Sequence, residues 1–178
     1  MKRSGATDQG AVSEVEPWLR GTLTEVDAVR RQVLHALEHA GEDVDRWCAG
    51  LSDAEMGARP FGLPPVAFHL RHIARSLDRL LTYAEGRQLS VDQMDMLRGE
   101  LDSAAIAEVV LAEVRAGLRD AAKRVRMISP TRYEEARGVG RAMLPSTVGG
   151  LLVHCAEHTQ RHVGQAVTTA KVVLGMRS

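Results

Sequence analysis

The sequence predicts an all-α protein, a four-helix bundle. Four long stretches carry apolar residues at alternating steps of three and four, the spacing that lines one face of a helix. Proline or glycine punctuates the ends of most of these stretches. No run of β-branched residues alternates with polar ones between tight-turn pairs, so strand signals are absent. Four amphipathic segments with no sheet to cover must pack on one another. At 178 residues the chain suits one domain with a substantial core. That domain is expected over residues 17–178. Residues 1–16 are polar, small and glycine-containing, which predicts a flexible N-terminal tail.

Pro17 can open the first helix, because a missing N–H costs nothing in a first turn. Its seam reads Leu19, Leu23, Val26, Val33, Leu37, Ala40, Val44, Trp47 and Leu51, interrupted only at Arg30. Gly41 lies within it without changing the phase. Ser52 followed by Glu55 forms a capping-box pattern and predicts a short turn at residues 53–56. Arg59-Pro60-Phe61-Gly62-Leu63-Pro64-Pro65 is a loop. The second helix is expected from Pro64 or Pro65 to about Glu85, with Gly86 as its stop. Val66, Leu70, Ile73, Leu77, Leu80 and Ala84 form its seam. The third runs from about Ser103 to Arg126, capped by Asp102 or Ser103, with Ile106, Val110, Val114, Leu118, Ala121 and Val125 inward. Residues 127–146, with two prolines and two glycines, read as irregular. The fourth helix begins near Thr147 and ends near Leu174, with Gly175 as its stop.

Composition narrows the function. Lys plus Arg (23) balance Asp plus Glu (23), so no net field draws the chain to nucleic acid or an anionic membrane. Aromatics at 3% leave few platforms for base stacking. Neither a secretory h-region nor an apolar run of the roughly 18 residues a membrane span requires is present. A cytoplasmic protein is expected. Cys48 and Cys155 each sit in an apolar helical pattern, where cysteine behaves as a small hydrophobe, and they do not make a disulfide framework.

Seven histidines carry the chemistry: His35, His39, His69, His72, His154, His158 and His162. Residues i and i+4 stand one above the other on a helix face, close enough to grip one ion. His154, His158 and His162 follow each other at steps of four, but each step drifts by about 40° around the axis. One pair plus a ligand from another helix is therefore the realistic unit. His69 and His72 on the second helix supply that ligand. Spacing alone does not choose between His154/His158 and His158/His162, or between His69 and His72. His35 and His39 lie beside the first seam among charged residues and read as solvated surface.

The segment Phe68-His69-Leu70-Arg71-His72-Ile73-Ala74 and the segment His158-Thr159-Gln160-Arg161-His162-Val163-Gly164-Gln165 resemble the DinB/YfiT-like superfamily. That family has an H-I/L-A motif on its second helix and a C-terminal H-x-x-x-H-x-G-Q motif. Leu51 to Met56 and Arg59-Pro60 look like its connector, so the resemblance spans roughly residues 18–175. It implies a metal triad of His72, His158 and His162. Val163 departs from the family, where arginine often precedes Gly-Gln, and that departure touches substrate contacts more than metal binding. His69 and His154 are extra histidines, read as packing residues or outer partners of the ligands.

Three imidazoles without a fourth protein ligand describe an open, catalytic type of site that suits Zn²⁺ or Ni²⁺. Such an ion can activate water or hold a thiol as thiolate. Relatives implied by the resemblance include mycothiol-dependent isomerases, bacillithiol S-transferases and metal-dependent hydrolases. The expected function is thus a metal-dependent transferase or hydrolase acting on a small molecule, with a low-molecular-weight thiol as possible cofactor. The alternative is a non-catalytic metal-bound or structural homodimer, for which Trp18 offers a contact. No general base is identifiable. Asp78, Arg79 and Arg161 read as solvated, and Glu157, next to His158 on the helix, points about 100° away from it. The Pro60–Pro65 loop and residues 127–146 are expected to rim a pocket over the metal.

Overall fold

The computed structural model describes residues 15–98, 100 and 106–177. Residues 1–14 of the expected tail, and the expected caps Asp102 and Ser103, lie outside them. Four long helices form the frame: α1 (Ala28–Trp47), α3 (Val66–Ala84), α5 (Ala107–Met127) and α6 (Val148–Gly175). Between them lie two short helices, α2 (Asp53–Met56) and α4 (Val91–Arg98), and a hairpin of β1 (Ala136–Val139) and β2 (Leu144–Thr147). The long helices form a ring in which α1 and α3 each pack against both α5 and α6. Among the described residues no helix is long and apolar enough to cross a membrane.

Side-chain pairings fix the directions. Gln160 reaches the Ala36 carbonyl and Lys171 lies over Trp47, so α1 and α6 run parallel. Arg75 pairs with Glu113 and Arg124 with Glu85, so α3 and α5 are also parallel. His69 meets His162 and Thr169 meets Pro64, which sets α3 antiparallel to α6. Parallel neighbours joined in sequence need a connection that travels the length of the bundle. That crossover joins Ala84 to Ala107 and includes α4.

The core follows the predicted seams. Val66, Leu70, Ile73, Leu77 and Ala84 of α3 are buried, as are Val110, Val114, Leu118, Ala121 and Val125 of α5. Gly86 takes φ +85° and closes α3, with Arg87 N–H donating to the Thr82 carbonyl and Gly86 N–H to that of Tyr83. This is the left-handed cap that glycine adopts without steric penalty. Ser52 and Glu55 form the expected capping box.

Three expectations fail. The first helix does not begin at Pro17. Pro17–Leu19 is a single 3₁₀ turn, Gly21 (φ 67°) and Leu23 (φ 57°) turn the chain, and α1 starts after Asp27, which accepts from the Arg30 amide. Arg30 broke the seam because it sits in the first turn, its guanidinium donating to Asp27 and to the carbonyls of Arg126 and Ile128. Leu23 and Val26 still pack on the core, so the burial phase outlasts the helix. Ile106 is not inward but 57% exposed, the N-cap residue of α5. Asp53 of α2 instead accepts from Ala107 N–H at 2.7 Å. Finally, residues 127–146 are not wholly irregular: β1 and β2 pair with Gly138 opposite Pro145. Strands of four residues containing glycine and proline carry no alternation signal.

Candidate metal centre

His72 lies two turns into α3, and His158 and His162 lie one turn apart near the middle of α6. Antiparallel packing of α3 on α6 brings the three rings together, with centroids 4.4 to 4.9 Å apart. One nitrogen from each falls in a group whose members all lie within 4.8 Å of one another. His72 Nε2 and His158 Nε2 are 2.9 Å apart. Two nitrogens bound tetrahedrally to one zinc are separated by about 3.3 Å, given bonds of ~2.05 Å. This pair stands slightly closer than zinc would hold it, at a distance that is itself hydrogen-bonding, so an ion would part the two rings a little.

Electrostatics favour the ligand form of the rings. Burial first, then the neighbouring imidazoles, push His158 and His162 down to about 4. Both are neutral at pH 7, with lone pairs free to bind a cation. Phe68 stacks on His72 at 5.5 Å and 21°. All three histidines keep partial solvent contact.

Each remaining histidine now has a place. His69, buried, sets Nδ1 3.2 Å from His162 Nδ1, which makes it a polar neighbour of the triad rather than simple packing. His154 is partly exposed and pairs with Glu157. Glu157 also pairs with Arg161, which stays on the surface as expected. His35 overturns its reading as solvated: it is 4% exposed, with Nε2 3.2 Å from Thr22 Oγ1. The turn at Gly21–Leu23 folds back over it, which no local pattern announces. His39 is partly exposed and faces Asp43 at 3.7 Å.

Sequence reasoning missed Glu100. It comes from the crossover, is 5% exposed, and accepts from His72 Nδ1–H at 2.6 Å. Burial opposes its ionisation, but hydrogen bonds from His72 and Arg79 outweigh that and hold its carboxyl below the usual range. Arg79 is likewise not solvated. It donates to Glu100 at 2.7 Å and to Ser76 Oγ at 3.1 Å. Asp78 binds Arg124 and Gln93. A lone acidic residue in an unpatterned connection gives no signal in a single sequence.

The rim also differs from expectation. Leu63 and Pro64 of the Pro60–Pro65 loop line a cavity of about 440 Å³ with His69, Arg161, Gly164 and Gln165, beside the triad and not over it, since none of His72, His158 and His162 lines it. Residues 127–146 do not reach it. The hairpin packs at the far end of α3, where Arg137 donates to the Ala84 carbonyl and borders Tyr83 and Gly86.

The chain matches the model of the DinB superfamily over residues 36–166. The chain belongs to the DinB superfamily. This DinB chain also shares its fold with the crystal structure of a conserved protein from Enterococcus faecalis. The TM-score is 0.67 at 19% identity, covering 84% of this chain and 99% of that one. No curated protein matches it. The donor set fits a divalent ion: three imidazole nitrogens, all within 4.8 Å of one another, from two helices of a DinB fold. A metal-binding DinB-like protein is the function these observations support.

Proposed function

We propose that this chain is a metal-dependent enzyme that holds one divalent ion, Zn²⁺ or Ni²⁺, on His72, His158 and His162 and acts on a small molecule. The observation that carries this reading is the convergence of three imidazole nitrogens within 4.8 Å, with the rings still reached by solvent. An ion bound there supplies Lewis acidity, able to activate water or to hold a thiol as thiolate. Thiol transfer is favoured over hydrolysis. Neither buried cysteine can serve as the nucleophile, so the sulfur must arrive with a low-molecular-weight thiol. The free, buried cysteines also suit a reducing compartment such as the cytoplasm. The non-catalytic reading would call for a sealed ion, and the partly exposed rings weigh against it.

Elemental analysis of the purified, untagged chain tests the centre. About one divalent ion per chain is expected. His72→Ala and His158→Ala should each lose most of it, whereas His39→Ala should keep it. Full occupancy in the His72 variant would remove the triad. With Co²⁺ in the site, a physiological thiol should produce an intense sulfur-to-metal charge-transfer band. If no such thiol perturbs the spectrum, hydrolysis becomes the better account. For oligomeric state we propose a homodimer through the exposed Trp18 and Leu19. A monomer by sedimentation at micromolar concentration would exclude it.

A further inference from the structure

Glu100 is a carboxylate in an unusual place. Glutamate is rarely buried unless a partner compensates the lost hydration. Here both oxygens are used: Oε2 accepts from His72 Nδ1–H at 2.6 Å, and Oε1 accepts from Arg79 Nη1 at 2.7 Å. Arg79 Nη2 donates to Ser76 Oγ at 3.1 Å, and Ser76 Oγ lies 3.3 Å from His72 Nε2. The four side chains close a ring around one imidazole.

A neutral imidazole carries a single proton, and its other nitrogen is the one that can bind a metal. Glu100 keeps the His72 proton on Nδ1. The lone pair is thereby left on Nε2, the nitrogen that faces His158 at 2.9 Å. Phe68 lies over the same ring and restricts its plane. We infer that Glu100 is a positioning residue for the metal centre: it selects Nε2 of His72 as the ligand atom and fixes that ring's orientation, with Arg79 holding the carboxylate in place. The inference rests on the reading of His72, His158 and His162 as ligands of one divalent ion. It also assigns the crossover a part in the site, because α3 and α6 alone supply no carboxylate to His72 among the described residues.

A purely structural Glu100 would pin the crossover to α3 and do nothing for the ion. The two roles separate when zinc affinity, measured by competition with a chelating dye, is set beside the metal-free melting temperature of the same full-length chain. Glu100→Ala should weaken zinc binding by roughly 10–100-fold and alter the ligand-field bands of the Co²⁺ form. Glu100→Gln, nearly isosteric and still offering an oxygen to Nδ1–H, should fall between wild type and alanine. Glu100→Gln also keeps the test alive should the alanine variant fail to fold. Zinc affinity within about twofold of wild type in both variants, or an unchanged Co²⁺ spectrum beside a lowered melting temperature, would overturn the inference and leave the triad standing. A wild-type chain that binds neither zinc nor cobalt would overturn the triad itself, and the inference with it.

Discussion

Cys48 and Cys155 show what burial does to a nucleophile. Both are fully buried, and loss of hydration pushes each thiol up to about 12. At pH 8 the thiolate fraction is then on the order of 10⁻⁴, and the thiolate is the reactive form. Both should resist a thiol reagent in the folded chain and react at once in denaturant. Rapid native labelling of Cys155, one turn before His158, would make it a nucleophile and displace the external thiol. Asp27 works in the opposite direction. Burial raises its carboxyl, but hydrogen bonds from Tyr133 at 2.5 Å and from the Arg30 side chain and amide outweigh that and hold it below its usual value. A carboxylate depressed in the folded state contributes stability that is fully present above its unfolded value of about 3.9 and is lost as pH falls through the folded one. Asp27→Asn should therefore lower the urea midpoint at pH 7 more than at pH 3. A gap of equal size at both pH values would show that the charge contributes nothing.

Between elements, the α3–α5 contact is set by one glycine. A Cβ on Gly117 would lie 2.7 Å from Ala74 Cβ and 2.9 Å from its Cα. Gly117→Ala should cost about 1–3 kcal/mol through overpacking, more than the ~1 kcal/mol alanine gains in a helix. Gly41 of α1 has only an ordinary contact, Leu118 at 3.9 Å, so Gly41→Ala should stabilise by about 0.5–1 kcal/mol. Denaturant midpoints that move together would refute this contrast. The same elements show what was legible beforehand. The buried faces of α3 and α5 follow from apolar periodicity, because one packed face per helix imposes it. The true start of α1 does not, because Leu23 and Val26 remain packed while the backbone turns. The choice of His72 over His69 came from family resemblance, since i, i+3 neighbours both face inward here. Glu100 belongs to tertiary structure alone: only the crossover's path brings it to His72.

For the molecule as a whole, the candidate centre ties α3 to α6 across their antiparallel interface. A ligand that binds only the folded chain stabilises it by mass action, about 2.7 kcal/mol at a hundredfold excess over Kd. For a chain of this size that is roughly 5–10 °C in Tm. Zinc should raise the melting temperature of the wild type by that order, a chelator should reverse it, and His72→Ala should show neither response. An equal shift in the His72 variant would place the bound zinc elsewhere.

The ring order also has a consequence during synthesis. Among the long helices, α1 packs only on α5 and α6, the two made last. Its apolar stripe, with Leu37, Ala40 and Val44, leaves the ribosome with no helical mate until α5 follows some sixty residues later. At about 5–20 residues per second that is several seconds of exposed hydrophobic surface. A nascent chain stalled before α5 should therefore recruit a holding chaperone through α1, and release it once α5 and α6 have emerged.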